Sequence, residues 1–384
     1  MRVIDLSHHV AGPFATLLMA ELGHEVIKVE RPDRGDPLRS YSARSGSVEF
    51  DFLNRRKRSV TLNWKSRRGR ALLRRLLTDA DAVVENFRPG TLERLGLSYR
   101  WMRRASREIV LTSISNFGQT GPRRDWEATE IVLQSTGGIV AATGWAEAEP
   151  LRLAGNVAQH IAGLNGAIAT VAAVFAVRAG LERGIHIDIS IQEAFAAHWA
   201  RHISQYVHHG LEMARESRSL GKQGFPHTMS AKDGWLYLLA LRAEWESFAT
   251  FSGLDRFATH EWSDPAERQA RWSEIDPHFR EAVASRGRYE WFSAAAEVGY
   301  TFAPIDDAPT LLGSPQLATR GFFQTAELGD GGRVSCPGLP FTGVQAPAVP
   351  NRAPLLGEHN EQIYGGLLGM SSREIDSMRE AGVV

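Results

Sequence analysis

The 384-residue sequence predicts an α/β protein with a parallel sheet and a second, smaller unit. Three observations carry that expectation. Val3–Leu6, a helix running to about Leu22, and Glu25–Val29 make a βαβ opening, the unit from which parallel sheets are built. Short apolar strands then alternate with helical stretches as far as His208. The alternation breaks near Ser217–His227, where Gly221, Gly224 and Pro226 read as a loop or linker.

Met1-Arg-Val-Ile-Asp-Leu enters a strand pattern at once, so no signal peptide is expected. Pro13 opens the first helix, since the first helical position needs no amide hydrogen. No Gly-x-Gly-x-x-Gly turn follows the first strand, so a dinucleotide site is not supported. Arg68–Leu77 reads as a helix, Ala82–Glu85 as a short apolar strand, and Ile109–Ser115 as an alternating strand. Thr129–Gln134 and Val157–Val177 are helical, and the small residues of the second admit close approach of another helix. Ile185–Ile189 reads as a strand and Gln192–His208 as one helix. A new unit begins at Asp233-Gly234-Trp235, with a strand over Trp235–Leu241 and mixed helices to about Val298. Ala303–Ser314 is irregular, and Arg333–Pro350 is Pro/Gly-rich and extended. Short helices near Glu361–Leu368 and Ser372–Glu380 follow.

Formal net charge is +0, so no global field points to nucleic acid. The charge is nevertheless uneven: residues 1–125 carry 24 Lys and Arg against 14 Asp and Glu, and the remainder 20 against 30. A basic first third suits an anionic ligand or an acidic partner surface. The longest apolar run, Ile161–Ala179, is interrupted by Asn165 and closed by Arg178, which fits a buried helix and not a membrane span. Cys336 is the only cysteine, so there is no intrachain disulfide and no Cys/His zinc spacing. A reducing, cytoplasmic setting is expected, with no metal.

Several motifs recur in order along the chain. They are Ala11-Gly12-Pro13, Val26-Ile27-Lys28-Val29-Glu30, Gly35-Asp36-Pro-Leu-Arg39 and Asn54-Arg-Arg-Lys57-Arg-Ser59-Val-Thr-Leu62. Then come Glu85-Asn86-Phe87-Arg88-Pro89-Gly90, Leu95-Gly96-Leu97 and Phe117-Gly118-Gln-Thr-Gly121-Pro122. His186-Ile-Asp188-Ile-Ser190 and Ala353-Pro354-Leu-Leu-Gly357-Glu-His359-Asn360 complete the set. Together they resemble the family III CoA-transferases, the carnitine and formyl-CoA transferase type, which also includes acyl-CoA racemases. The resemblance implies a large Rossmann-like domain over residues 1–215 and 330–384. A small α+β domain over 225–325 and linkers at 216–224 and 326–352 go with it. It also implies two chains interlocked as a dimer.

The same resemblance implies that CoA is a substrate and not a bound cofactor. Its phosphates call for cations and backbone N–H donors. By residue-wise match His8, Ala11, Arg39, Leu62, Lys65, Asn86, Phe87 and Arg94 lie near the nucleotide, with Arg88 adding charge. For Arg39 and Arg94 the competing reading is a surface salt bridge, and for Leu62 and Phe87 it is core packing. Lys57 and Arg58 read as a solvated basic turn.

Gly155-Asn-Val-Ala-Gln159-His-Ile-Ala-Gly163 holds the active-site question. Four residues before its last glycine, related proteins place an aspartate that attacks the thioester, and Gln159 stands there instead. An amide carries no charge and cannot become a mixed anhydride. The same aspartate serves the racemases, so that chemistry is also disfavoured. Glu130 matches a family glutamate near the reaction centre and is the nearest candidate carboxylate. Its expected role is to position or polarise. His160 points about 100° away from Gln159 on a helix and reads as packed, and Asp188 reads as structural. Gly221-Lys-Gln-Gly224 occupies the place of a glycine-rich lid, though a plain linker fits as well. Trp126, Trp145, Trp199 and Tyr206 suggest an aromatic acyl pocket or simply core.

The leading expectation is therefore a transferase subunit acting on acyl-CoA and carboxylic acids, with a paralogous chain supplying the aspartate. Two alternatives stand beside it: a homodimeric transferase using another residue, and a non-catalytic acyl-CoA-binding protein.

Overall fold

The computed structural model describes residues 1–40, 48–213, 215, 226–239, 244–328, 331–344 and 349–384. The chain divides into two compact units. One comprises Met1–Val140, Arg152–Leu211 and Ala318–Val384, the other Ala141–Leu151 and Glu212–Leu317. The expected linker at 216–224, including Gly221 and Gly224, lies outside the described residues.

The larger unit is mixed α/β. It begins β1 (Arg2–Asp5), α1 (Ala11–Glu21), β2 (Glu25–Glu30), α2 (Val48–Asn54), β3 (Arg58–Thr61), α3 (Arg67–Thr78) and β4 (Ala82–Glu85). It continues α4 (Thr91–Arg94), α5 (Tyr99–Met102), β5 (Val110–Ser115), α6 (Glu130–Thr136), α7 (Val157–Arg178) and β6 (Ile185–Ser190). The six strands are all parallel, in the order β3-β2-β1-β4-β5-β6. This is the doubly wound order, whose direction of growth reverses between β1 and β4.

Alternation within the strands feeds two cores, because successive side chains point to opposite faces. Val3, Val26, Val84 and Ile114 join residues of α1 and α7 on one face. Ile4, Ile27, Val83 and Leu111 meet Leu72, Leu73, Leu76 and Leu77 of α3 on the other, together with Ile363, Tyr364 and Ile375. Those leucines recur at helical spacing, which gives α3 a single apolar stripe. Ser66 caps that helix by accepting the Gly69 amide at 2.9 Å.

α7 lies so close to α1 that its glycines are sterically required. A Cβ on Gly163 would sit 2.5 Å from the Ala11 carbonyl oxygen and 3.0 Å from a Phe14 ring carbon. Backbone cannot yield as a side-chain tip can, so Gly163→Ala is expected to destabilise by about 1–3 kcal/mol through overpacking. Urea unfolding measures it, and a change within about 0.3 kcal/mol would show that the helices slide apart freely. By length and composition α7 is apolar enough to cross a membrane. Here Ala158, Ala162, Ala167, Val174 and Val177 join the core beside the sheet.

Two sequence expectations need correction in this unit. The helix expected over Gln192–His208 is two helices, α8 (Ile191–Ala196) and α9 (Ala200–His209), joined by a 3₁₀ turn at Ala197–Trp199. α8 buries Ile191 and Phe195, whereas α9 buries none of its residues, so the two pieces follow different surfaces. Lys57 is no solvated turn. Its side chain is fully buried and paired with Asp5 at 3.0 Å, and Arg58 is half-buried against Glu25 at 2.6 Å. Charged sequences around α2 and β3 hid both elements, because their charges are neutralised by partners far along the chain.

The second unit is a small α+β structure. β7 (Thr228–Ala231) and β8 (Gly234–Tyr237) pair antiparallel, and β9 (Ala303–Pro304) adds to β8. The strand expected to reach Leu241 ends at Tyr237, and residues 240–243 lie outside the described residues. Helices α10 (Trp245–Phe251), α11 (Pro265–Ala270), α12 (Trp272–Ala284) and α13 (Arg288–Glu297) follow. Their core is aromatic, built on Trp245, Phe248, Phe257, Trp262, Phe279, Trp291 and Phe302. Back in the larger unit, β10 (Phe323–Glu327) and β11 (Arg333–Pro337) form an antiparallel pair.

Candidate active site

In doubly wound sheets ligands bind outside the carboxyl ends of the strands, where the order reverses. Here that place is the pair of loops leaving β1 and β4. Asn86 stitches them together. It accepts from the His8 amide at 2.9 Å and donates to the His8 carbonyl at 2.6 Å. His9 adopts a left-handed backbone, with φ 62°, a conformation that non-glycine residues hold only when their surroundings impose it.

Those surroundings are a buried charge network. Lys28 pairs with Asp36 at 2.9 Å and donates to the Ser7 carbonyl at 2.9 Å. Asp36 in turn accepts the amides of His9 at 3.3 Å and Leu38 at 3.0 Å. Lys57 completes the frame by donating to Asp5, the Pro13 carbonyl and Asn54 at 2.9–3.0 Å. All three ammonium hydrogens are thereby used. Burial pushes the His8 imidazole down to about 4, and His9 beside it adds to the shift, so His8 is neutral at pH 7. Its ring lies 5.2 Å from that of Phe87.

Two cavities open on these loops. The first, of about 860 Å³, is lined by His8, Leu62, Lys65 and Phe87 with Arg31, Arg34 and Arg379. The second, of about 640 Å³, is lined by His9, Ala11, Asn86, Phe87, Arg88, Arg124, Glu49, Glu130, Asn156 and Gln159. Phe87 belongs to both walls. Of the residues expected near a nucleotide, His8, Leu62, Lys65 and Phe87 line the first cavity, and Ala11, Asn86, Phe87 and Arg88 the second.

Arg39 and Arg94 line neither cavity. Arg39 grips Glu30 through two bonds of 2.7 and 2.8 Å and donates to the Pro354 carbonyl at 3.1 Å. Burial would raise the Glu30 carboxyl, but Arg39 and Lys28 outweigh it and hold it below the usual range. Arg94 is exposed and reaches Thr91 at 2.9 Å. Arg88 is exposed and pairs with Glu127.

The reactive end is organised by Glu130 and Gln134. Glu130 accepts the Ala158 amide at 2.7 Å and the Gln134 side-chain amide at 2.8 Å through one oxygen. Its other oxygen faces the Gln159 amide nitrogen at 3.5 Å. Gln134, fully buried, also clamps the Leu153 backbone by donating at 3.2 Å and accepting at 2.8 Å. The start of α7 is thus fastened to α6, which fixes where Gln159 points. His160 stands edge-on to Phe14 at 4.6 Å, and burial lowers its pKa. Asp188 accepts the Gln119 amide at 2.9 and 3.1 Å.

Trp126 lines the second cavity and is 60% exposed. Trp199 covers Gly138, and Tyr206 is exposed. Among the described residues no three His, Cys, Asp or Glu side chains gather as a metal set. Sequence reasoning missed Glu49, Asn156, Gln134 and Arg379. Only Asn156 carried a local signal, as the residue just before the first turn of α7.

The model of CoA-transferase family III matches residues 1–360. A formyl-CoA:oxalate CoA-transferase from Rhodopseudomonas palustris (strain BisA53) is 28% identical, covering 100% of this chain and 96% of its own. One of the same name from Streptomyces coelicolor is 27% identical, covering 100% and 98%. A crystal structure of a CAIB/BAIF family protein from Brucella suis, 26% identical, superposes with a TM-score of 0.84 over 96% of this chain and 98% of its own. With that family model matched over residues 1–360, this chain belongs to CoA-transferase family III.

Proposed function

We propose that the protein moves CoA between an acyl-CoA thioester and a carboxylic acid, with the nucleotide in the larger cavity and the thioester beside Gln159. The observation that carries the reading is the shared wall at Phe87. It lets one ligand run from a cavity lined by Arg31, Arg34, Lys65 and Arg379 with Glu30, Asp33 and Asp36 to one lined by Glu49, Asp125, Glu127 and Glu130 with Arg88 and Arg124. His8, Leu62 and Lys65 contact the nucleotide end, and Ala11, Asn86 and Arg88 the pantetheine end. Arg39 acts indirectly, by bracing the loop after β2. Glu130 is a positioning residue, since one of its oxygens is occupied by the Ala158 and Gln134 amides that seat α7. Transfer runs through a carboxylate of this cavity other than residue 159. The reaction belongs in the cytoplasm, with no metal and no prosthetic group.

The amide at 159 favours a second reading, in which a paralogous chain carries the aspartate and this chain is its partner subunit. Neither relative is named as one subunit of a pair. A homodimer fits the apolar side chains left open on α7 and α9, where Ile168, Phe175 and Val207 are 60%, 73% and 71% exposed.

The test is thioester exchange by the purified chain alone, with light scattering on the same sample. Formyl-CoA, acetyl-CoA and succinyl-CoA serve as donors, and oxalate and succinate as acceptors. A new CoA ester that depends on both substrates is the expected product. Exchange only after co-expression with an aspartate-bearing paralogue would establish the second reading. Binding of the esters without exchange in either preparation would make the chain a non-catalytic acyl-CoA binder.

A further inference from the structure

Four carboxylates line the cavity beside Gln159, and they are not equivalent. Asp125 and Glu127 are exposed and lie against arginines, at 3.4 Å from Arg124 and paired with Arg88 respectively. Glu130 accepts from the Ala158 amide and Gln134 through one oxygen and faces the Gln159 amide nitrogen at 3.5 Å with the other. Each hydrogen bond donated to a carboxylate draws charge from the oxygen that would have to attack.

Glu49 is different. It sits in the first turn of α2, half-buried, at the wall of the same cavity. One of its oxygens accepts a single neutral hydrogen bond, from the Asn156 side-chain amide at 2.8 Å. Among the described residues its other oxygen has no hydrogen-bond partner, and the group lies near enough to His160 to act on it electrostatically. Asn156 is the residue before α7 and stands three positions ahead of Gln159. The bond therefore fastens a carboxylate to the start of the helix that bears the lost nucleophile position. A carboxylate oxygen that lines a cavity and has no donor against it has its lone pairs available for attack.

We propose that Glu49 is the nucleophile that replaces the aspartate missing at position 159, an assignment that rests on CoA transfer being the reaction. The free Glu49 oxygen attacks the acyl carbonyl carbon. The carbon–sulfur bond breaks, CoA leaves as thiolate, and a mixed anhydride joins Glu49 to the acyl group. The thiolate then attacks the Glu49 carbonyl carbon, expelling the donor acid as carboxylate and leaving a glutamyl-CoA thioester. The acceptor carboxylate attacks that thioester, again releasing thiolate and forming a second anhydride. Attack of the thiolate on the acceptor carbonyl yields the new acyl-CoA and restores the Glu49 carboxylate. No oxidant, reductant or net proton is needed. Asn156 is the positioning residue that aims Glu49.

Trapping on the intact chain tests the assignment. The protein is incubated with formyl-CoA or succinyl-CoA and quenched with hydroxylamine or borohydride, and the modified residue is located by peptide mass spectrometry. The expected tag, a hydroxamate or an alcohol, falls on Glu49. Glu49→Gln is expected to lower exchange by about 10³-fold or more with an unaltered melting curve, while Glu49→Asp keeps the tag at reduced rate. A tag on Glu130 or another residue overturns the assignment yet leaves CoA transfer standing, as does a Glu49→Gln protein that exchanges at the wild-type rate. Should Glu49→Gln fail to fold, the wild-type tag decides alone. Neither exchange nor tag with any of these probes would overturn the assignment and the transferase reading together.

Discussion

Lys57→Met is expected to cost roughly 3–5 kcal/mol of stability, because it strands a buried carboxylate. The Lys57 and Asp5 side chains are both fully buried, 3.0 Å apart. Asp5 also accepts from Ser7 and from Thr16 at 2.7 Å, so it joins β1 to α1. Burial pushes the Lys57 ammonium down to about 8, with Asp5 holding it up against that pull, so the pair is charged at pH 7. Methionine fills the space but donates nothing to Asp5, Asn54 or the Pro13 carbonyl. The double variant Asp5→Asn/Lys57→Met is expected to lose less than the sum of the two single changes, since it leaves no lone charge. Urea unfolding of the four proteins closes the cycle. A single-variant loss below about 1 kcal/mol, the ordinary worth of an exposed pair, would sink the idea that this bolt frames the His8–Val10 loop.

Glu85→Gln is expected to flatten the pH dependence of stability between pH 4.5 and about 7. Glu85 is buried at the end of β4. Burial pushes its carboxyl from 4.5 up to about 7, against opposing bonds from Ser113 and the Phe87 amide. The folded protein therefore binds this proton more tightly than the unfolded chain does. Its contribution to stability is complete below pH 4.5 and is lost as pH rises through 7. A shift of that size corresponds to roughly 3 kcal/mol. Glutamine keeps an oxygen for the Phe87 amide, which Glu85 now accepts at 2.7 Å, and has no proton to lose. Melting temperatures from pH 4 to 8 should fall more steeply for the wild type than for the variant. Parallel curves would show that Glu85 is solvated and titrates normally. Glu85 precedes Asn86 and Phe87, so the effect reaches the wall common to both cavities.

How much of this was legible depends on how far apart the cooperating residues lie. β1, β4, α3 and α7 could be read from short windows, because apolar period and the small residues of α7 are local properties. The motifs around Asn86 and Gln159 were legible for a similar reason, as each occupies one stretch of chain. α2 and β3 were not legible. Their charged residues resemble a solvated turn until Glu21, Glu25 and Asp5 are brought against them. The break between α8 and α9 was hidden too, since apolar spacing continues through Ala197–Trp199 while burial stops. Arg39 carried a nucleotide-binding pattern, yet its guanidinium is committed to Glu30.

Position 159 divides the two kinds of information. That the chain has the strand–helix alternation of a doubly wound sheet, the ordered motifs of its family and an amide at position 159 are all properties of the string of residues. Which acid of the cavity lined by Gln159 keeps an oxygen without a hydrogen bond is not. Glu49 and Asn156 are more than a hundred residues apart, and the sequence singled out Glu130, not Glu49, as the candidate carboxylate. Sheet order and the packing of α2 and α6 near the start of α7 decide that one carboxylate takes a backbone and a side-chain amide donor on one oxygen and faces Gln159 with the other, while the second takes a single donor from Asn156. Reactivity follows from the number and charge of those partners, and partners are set by tertiary contact.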